Sequence, residues 1–286
     1  MTSTRRWTRP LAAVSAVVIA IALLALPPVQ AAADQLLKIF RVQEVVFVPV
    51  SQERMQQLEQ LNFDESTLFV TEPERVNTPA EPRTVASAQE AEGLVGYPVA
   101  QLAPEGGVPS EIVVHDRGVY QFQVNVAAAR ELLQLAGVTN VQLPDALGEA
   151  PITADMAPTV ITRYQGQGYT VTLAQGRSPQ VTVPEGVELS QLGSAMLQLL
   201  GTSPDQAQTL SQQIDWSTTF VFPFPADMSG VRPVEVRGTK GLLVSGRSEG
   251  ERNPHLYWQD GDRFYVLEAS GDIREADFLA LAESVR

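Results

Sequence analysis

The pentapeptide Gly246–Arg247–Ser248–Glu249–Gly250 has the Gly-x-Ser-x-Gly form of a hydrolase nucleophile elbow. That chemistry needs a strand before the serine, a helix after it, and a histidine and an acid brought to the hydroxyl. The run Gly241–Gly246 supplies the extended segment. Glu251–Arg252–Asn253–Pro254 then leads into a hairpin, and the only downstream histidine, His255, is seven residues away. A charged, glycine-punctuated loop is the reading these residues favour, and a hydrolase built on Ser248 is the weakest functional class. The other histidine, His115, stands beside Asp116. No His-x-x-x-His pair and no acid-rich calcium loop accompanies either one, so both are read as surface or turn residues and no metal is expected. Asp260 and Asp262 flank Gly261. Paired carboxylates do acid–base work only in a cleft that separates their pKa values, whereas at a hairpin tip they are turn residues. Gly166–Gln167–Gly168 lies between two predicted strands, with no helix N-terminus to hold a phosphate, and no cofactor is expected.

The segment Asp215–Pro225 reads DWSTTFVFPFP. In an extended strand Trp216, Thr218, Phe220, Phe222 and Phe224 share one face. Such a face fits the core side of a half-buried strand, the commoner outcome for aromatics. It also fits the lining of a groove for a protein partner or an apolar ligand, with Trp216, Phe220, Phe222 and Phe224 as binding residues. Pro223 and Pro225 push the end of this strand to a sheet edge.

These residues must be positioned by strands and a few helices. A short helix is expected over Asp34–Phe40, a strand over Val42–Val50, and a helix from a Ser51 cap. Thr71–Thr84 carries three prolines and five charges without apolar period and reads as a linker. Ser87 and Glu90 have capping-box spacing for a helix that stops at Gly96. Strands follow on both sides of Asp116–Arg117–Gly118. In the second, Tyr120, Phe122, Val124 and Val126 alternate with polar partners, the pattern of a half-covered sheet. A helix closes at Gly137, and three strands run from Thr159 to Val183. Two helices, Leu189–Leu200 and Pro204–Ile214, are split by Gly201 and form a possible lid. Asp260–Gly261 is expected to turn a hairpin that pairs Tyr257 with Phe264 and Trp258 with Arg263. A last helix is capped by Asp272, with Phe278, Leu281, Ala282 and Val285 as its inner stripe. The fold class is α+β, a mostly antiparallel sheet with helices packed on it, preceded by an N-terminal signal or anchor helix.

Composition excludes further classes. The 286 residues are 44% hydrophobic, enough for a substantial core. Net charge is −13, and beyond residue 33 there are 17 bases against 33 acids. Such a surface repels phosphate backbones, so nucleic acid is not an expected partner. The absence of cysteine excludes disulfides, thiolate metal sites, thiol nucleophiles and a lipidated cysteine anchor.

Arg5, Arg6 and Arg9 precede the uncharged run Leu11–Leu26, and Pro27–Ala33 ends in small residues. Bases, apolar run and small residues are the parts of a secretory signal, with cleavage near Ala31 or Ala33. Extended to residues 11–29, the run is also long enough for a retained membrane anchor. Both readings deliver everything after Ala33 to the outside. The organisation is therefore 1–33 signal peptide or transmembrane anchor, 34–84 membrane-proximal segment and Pro-rich linker, and 85–286 extracytoplasmic α+β domain.

SAQEAEGLVGYPVAQLAPEGGVPSEIVV, LYWQDGDRFYVLEASGDIREADFLALAESV and, more loosely, LPPVQAAADQLLKIFRVQ resemble a bacterial extracytoplasmic domain family of unknown function. In it an E-A-x-x-L-x-G-[FY]-P-V helix end leads through a proline–glycine loop to a strand. A tryptophan strand, an acid–glycine turn and an aromatic strand precede its last helix. The resemblance implies the outer part of a single-span membrane protein of the anti-sigma or envelope-signalling type. It carries over no catalytic residue. Such relatives have a module with zinc ligands before the span. Here ten residues and no cysteine precede the apolar run, so direct sigma-factor binding is not expected. The resulting expectation is a non-enzymatic extracytoplasmic domain that senses or binds an unknown protein partner, with a carrier of an apolar ligand as the alternative.

Overall fold

The computed structural model describes residues 37–41, 44–61, 63–78, 80–226, 230–248 and 251–286. The expected signal or anchor, residues 1–33, lies outside them, as do Ala31 and Ala33. Among the described residues no helix is long and apolar enough to cross a membrane.

In chain order the strands begin with β1 (Leu37–Arg41), β2 (Glu44–Val50), β3 (Phe69–Arg75), β4 (Arg83–Val85) and β5 (Val108–His115). They continue with β6 (Gly118–Val124), β7 (Ile152–Met156), β8 (Thr159–Gln165), β9 (Tyr169–Arg177) and β10 (Gln180–Pro184). The last are β11 (Thr219–Pro225), β12 (Val231–Val236), β13 (Thr239–Ser248), β14 (Glu251–Asp260) and β15 (Arg263–Gly271). The helices are α1 (Gln52–Glu59), α2 (Ala88–Val95), α3 (Val126–Leu135), α4 (Leu189–Leu199), α5 (Pro204–Gln213) and α6 (Glu275–Glu283). The fold is mixed, with mostly antiparallel sheets.

The largest sheet has eight strands in the order β12-β13-β14-β15-β9-β8-β5-β4. Cross-strand partners share a face, so Trp258, Tyr265, Gln175, Val160 and Val114 form one row. This face is buried under two helices. Leu256, Leu267, Leu173 and Val171 pack on Phe278, Leu281, Ala282 and Val285 of the α6 region. Ile112, Val114 and Val160 pack on Ala88, Ala91 and Val95 of α2. The opposite face, with Tyr257, Val266, Ala174 and Ile161, is half-buried.

A second sheet, β1-β10-β7-β6-β3, buries Phe122, Val124, Ile152, Val181 and Val183 against Leu133 of α3 and Leu192 and Ala195 of α4. Strands β5 and β6 are joined by two residues yet belong to different sheets. Arg117 holds the junction by pairing with Asp155 of β7, and its carbonyl accepts from Asn77 Nδ2 at 2.8 Å. Between the layers lies a ribbon in which β2 and β11 run parallel, the departure from antiparallel pairing. Parallel partners need a crossover, and here residues 51–218, most of the molecule, form it.

Local signals explain the helix ends. Ser51 Oγ accepts Arg54 N–H and Ser87 Oγ accepts Glu90 N–H, each at 3.1 Å. Gly96 closes α2 at φ +71°. Four expectations are corrected. Leu37–Phe40, the described part of the helix expected over Asp34–Phe40, belongs to strand β1, because its alternate backbone groups find partners in β10. The expected linker contains two strands, Phe69–Arg75 and Arg83–Val85. Pro73 is tolerated because β3 is a sheet edge whose register with β6 breaks twice. The hairpin turns on Gly261–Asp262, pairing Tyr257 with Val266 and Trp258 with Tyr265. Gly261, at φ +58°, takes the first central position, as a type II′ turn demands, and Trp258 then stacks on Tyr265 at 5.0 Å. The last helix has Arg274 and not Asp272 at its N-cap, because Asp272 is still tied to the sheet, its N–H donating to Gly168 O at 3.1 Å, and Glu275 then anchors the first turn. Glu275 accepts from Arg232 of β12 at 2.6 Å and from Ser245 of β13 at 3.0 Å.

Candidate functional site

The aromatic segment does not keep one face. Strand β11 starts at Thr219, so Trp216 and Thr218 lie in the turn before it. Asp215 makes that turn by accepting the Ser217 N–H at 2.9 Å and the Ser217 hydroxyl, the bonding of an Asx turn. The same hydroxyl holds the Asp215 pKa below its ordinary value. Trp216 swings under the helices instead. Its indole N–H donates to Ser211 O at 2.8 Å, and its ring lies on Gly193 of α4, where a Cβ would approach to 2.2 Å. It shares a core with Val50, Met196, Leu197, Leu200, Ala207 and Val221. Phe222 points away from that core. Its ring lies 5.9 Å from Phe47 edge-on and 6.1 Å from Tyr257 of the large sheet, stacked. Phe224 is buried. Phe220 is placed opposite Val45 by the strand register. The ribbon is thus cemented on both faces, with Trp216 on one side and Phe222 on the other.

The candidate catalytic groups do not converge. Ser248 ends β13 and pairs with Glu251 of β14, so a strand follows where the elbow needs a helix. His115 ends β5, while His255 lies on β14, with three strands between them, and its Nδ1 is 3.2 Å from Glu268 Oε1. Asp260 and Asp262 each face a different arginine, Arg237 at 3.9 Å and Arg177 at 3.8 Å. Among the described residues no group of three or more His, Asp or Glu is placed to hold a metal ion.

Two polar arrangements stand out. The first is a strap, Gly96–Ala103, laid across the buried face of the large sheet between α2 and α6. Gln175, fully buried in β9, grips it from below. Its Oε1 accepts Ala100 N–H at 2.8 Å and its Nε2 donates to Ala100 O at 2.7 Å. Val99 N–H goes to Glu92 Oε1, Leu102 N–H to Tyr164 Oη and Ala103 N–H to Ser284 Oγ. Gln101 exchanges both backbone bonds with Arg286. Tyr97 donates its hydroxyl to Pro158 O at 2.9 Å, and burial pushes its pKa up to about 12 against the nearby charges of Arg263 and Arg177. Arg263 and Arg177 lie 5.4 and 5.8 Å from its ring.

The second is a cleft of about 520 Å³ where helices end. Arg54 of α1 reaches across it. Nε donates to Leu199 O at 2.9 Å, Nη2 to Ala136 O at 3.0 Å and to Gln198 O at 3.4 Å, and Nη1 to Gln57 Oε1 at 3.2 Å. A cation therefore sits on the C-terminal ends of α3 and α4 together, where helix dipoles favour it. Burial holds its pKa below the ordinary guanidinium value. Gly201, at φ +99°, lets the Arg54 stem approach.

No known protein family, curated protein or solved structure that was compared matches this chain. Sequence reasoning placed Ser51 and the ends of α4 and α5 correctly but missed Arg54 as a clamp, because its partners lie 82 to 145 residues away. The glycines Gly137 and Gly201, each just past a helix end at positive φ, were the available signal for carbonyls needing a partner. Gln175 carried no signal beyond being the polar residue in an apolar alternation.

Proposed function

We propose that the region after Ala33 is a non-enzymatic interaction and sensing domain displayed outside the cytoplasm, tethered through residues 11–29 or released by cleavage near Ala31 or Ala33. One observation carries this reading. Of the aromatic set that was the best candidate for a ligand groove, Trp216, Phe222 and Phe224 are spent on packing, with Trp216 under α4 and Phe222 against Tyr257. A carrier needs that surface open, and a hydrolase needs Ser248 beside a base. Neither need is supported by these placements. The charge balance and the N-terminal bases, apolar run and small residues support display outside. The family resemblance supports a signalling context for the same domain.

The test has two arms. An alkaline phosphatase fused after Arg286 is expected to be active in intact bacteria, and a cytosolic, inactive fusion overturns the placement. In-cell cross-linking of the full chain, read by mass spectrometry, is expected to give one dominant protein partner lost on deleting 85–286. Turnover of a generic ester panel that disappears in Ser248→Ala replaces the interaction reading with an enzyme.

A further inference from the structure

The Arg54 cleft has a charge and hydrogen-bond inventory that selects a ligand. Among its lining side chains only Arg54 and Glu53 are ionisable, so the cleft is neutral in a chain of net charge −13. Four of the five Arg54 donors are already directed, three of them at carbonyls of helix ends. The guanidinium charge is offset by those ends and by Glu53. An anion meets a single remaining N–H and a carboxylate, and a cation meets Arg54. Both signs are disfavoured, and a neutral polar ligand is not.

Three glutamines supply the recognition groups. Gln57 and Gln206 turn their oxygens inward, to Arg54 Nη1 and to Ser203 Oγ, so their amide nitrogens have no protein acceptor. Gln198 is 5% exposed, and its only side-chain bond is a 3.3 Å donation to Ser194 Oγ. Its Oε1 accepts nothing from the protein while the residue lines the cleft. Among the described residues this oxygen is not one of the sealed, unpartnered polar atoms, so it is open to accept a hydrogen bond from a molecule in the cleft. The cleft thus offers amide and guanidinium donors alongside the Gln198 oxygen and the Glu53 carboxylate as acceptors, and Thr202 also lines it. Its volume falls in the range of small-molecule sites.

We infer that this cleft binds a small, uncharged polyhydroxylated molecule of the saccharide or polyol class. A hydroxyl both donates and accepts, so hydroxyls match a lining that holds both amide N–H donors and carboxamide and carboxylate oxygens. The lining has no aromatic ring on which a sugar face could stack, so affinity rests on hydrogen bonds and is modest, with Kd on the order of 1 mM.

The test titrates the full chain with trehalose while following the side-chain amide NMR signals of Gln57, Gln198 and Gln206. The expected result is saturable movement of all three, weakened about tenfold by either Gln198→Leu or Gln206→Ala. Gln206 is exposed, so its variant retains the fold, and the undisturbed backbone spectrum of each variant verifies this. Absence of movement with trehalose, glucose and glycerol overturns the inference. Movement with inorganic phosphate or with triglycine in place of the sugars also overturns it, in favour of an anion or a peptide site. The fusion and cross-linking experiments above are independent of this outcome.

Discussion

Two buried glutamines define the contrast between the strap and the cleft. Gln175 is fully buried and both ends of its carboxamide are bonded to one residue, Ala100. Gln198 is almost as buried, yet it makes one long bond and leaves its oxygen unused. The same side chain is a structural staple in one place and idle in the other. Polar capacity that folding consumes tells of stability, and capacity that folding leaves over tells of a ligand. The contrast can be broken by experiment, and the largest effect belongs to the staple. Gln175→Leu leaves the Ala100 N–H and carbonyl buried and unpaired, at about 1–3 kcal/mol for each group. We expect a loss of about 3–5 kcal/mol, read from urea denaturation. A loss under about 1 kcal/mol would mean that water reaches the strap and that it is no staple.

The strap also sets a pH response. The Tyr97 pKa is raised from 10.0 to about 12 by burial, so the folded state favours the neutral phenol. Its contribution is complete below pH 10 and is lost as pH rises through 12. That loss amounts to about 2–3 kcal/mol. Tyr164 and Tyr257 are shifted upward by burial as well, so the total alkaline slope is shared. The informative quantity is the difference between the wild type and Tyr97→Phe, whose urea midpoints converge between pH 10 and 12.

The strap and the cleft also differ in how far the sequence announces them. Helix α2 and its stop were legible, since Ser87, Glu90 and Gly96 are local chemistry within ten residues. So were the inner stripe of α6 and the alternation of β6. Contacts decided at long range were not. Strand β3 has no apolar period, and it is a strand because β6 offers it a partner. Trp216 left the expected strand face because Gly193, 23 residues earlier, opens a place for its ring. Arg54 reads in sequence as one more charge on a polar helix. Its role appears only when two helix ends, each from a different part of the chain, arrive beside it.

The clamp gives the next smaller effect. Arg54→Met removes charge-assisted bonds to the last carbonyls of α3 and α4. Those carbonyls line an open cleft, so water replaces part of what is lost. The expected cost is about 1–2 kcal/mol by thermal or urea denaturation, with partial recovery in Arg54→Lys. A cost as large as that of Gln175→Leu would mean that the cleft is closed to water.

The smallest effect is the most diagnostic. Gln198→Leu deletes a single weak bond to Ser194 and strands no backbone group, because the bond from Arg54 goes to the Gln198 carbonyl, which leucine keeps. Leucine is at least as good a helix former as glutamine and brings apolar surface to a mostly buried position. Stability is expected to change by about 0.5 kcal/mol or less, and toward gain. A glutamine that the fold can spare, at a site where leucine would do as well, is one that folding alone does not explain. If Gln198→Leu instead costs as much as about 2 kcal/mol, the oxygen has a partner within the fold, and the difference between the two glutamines disappears.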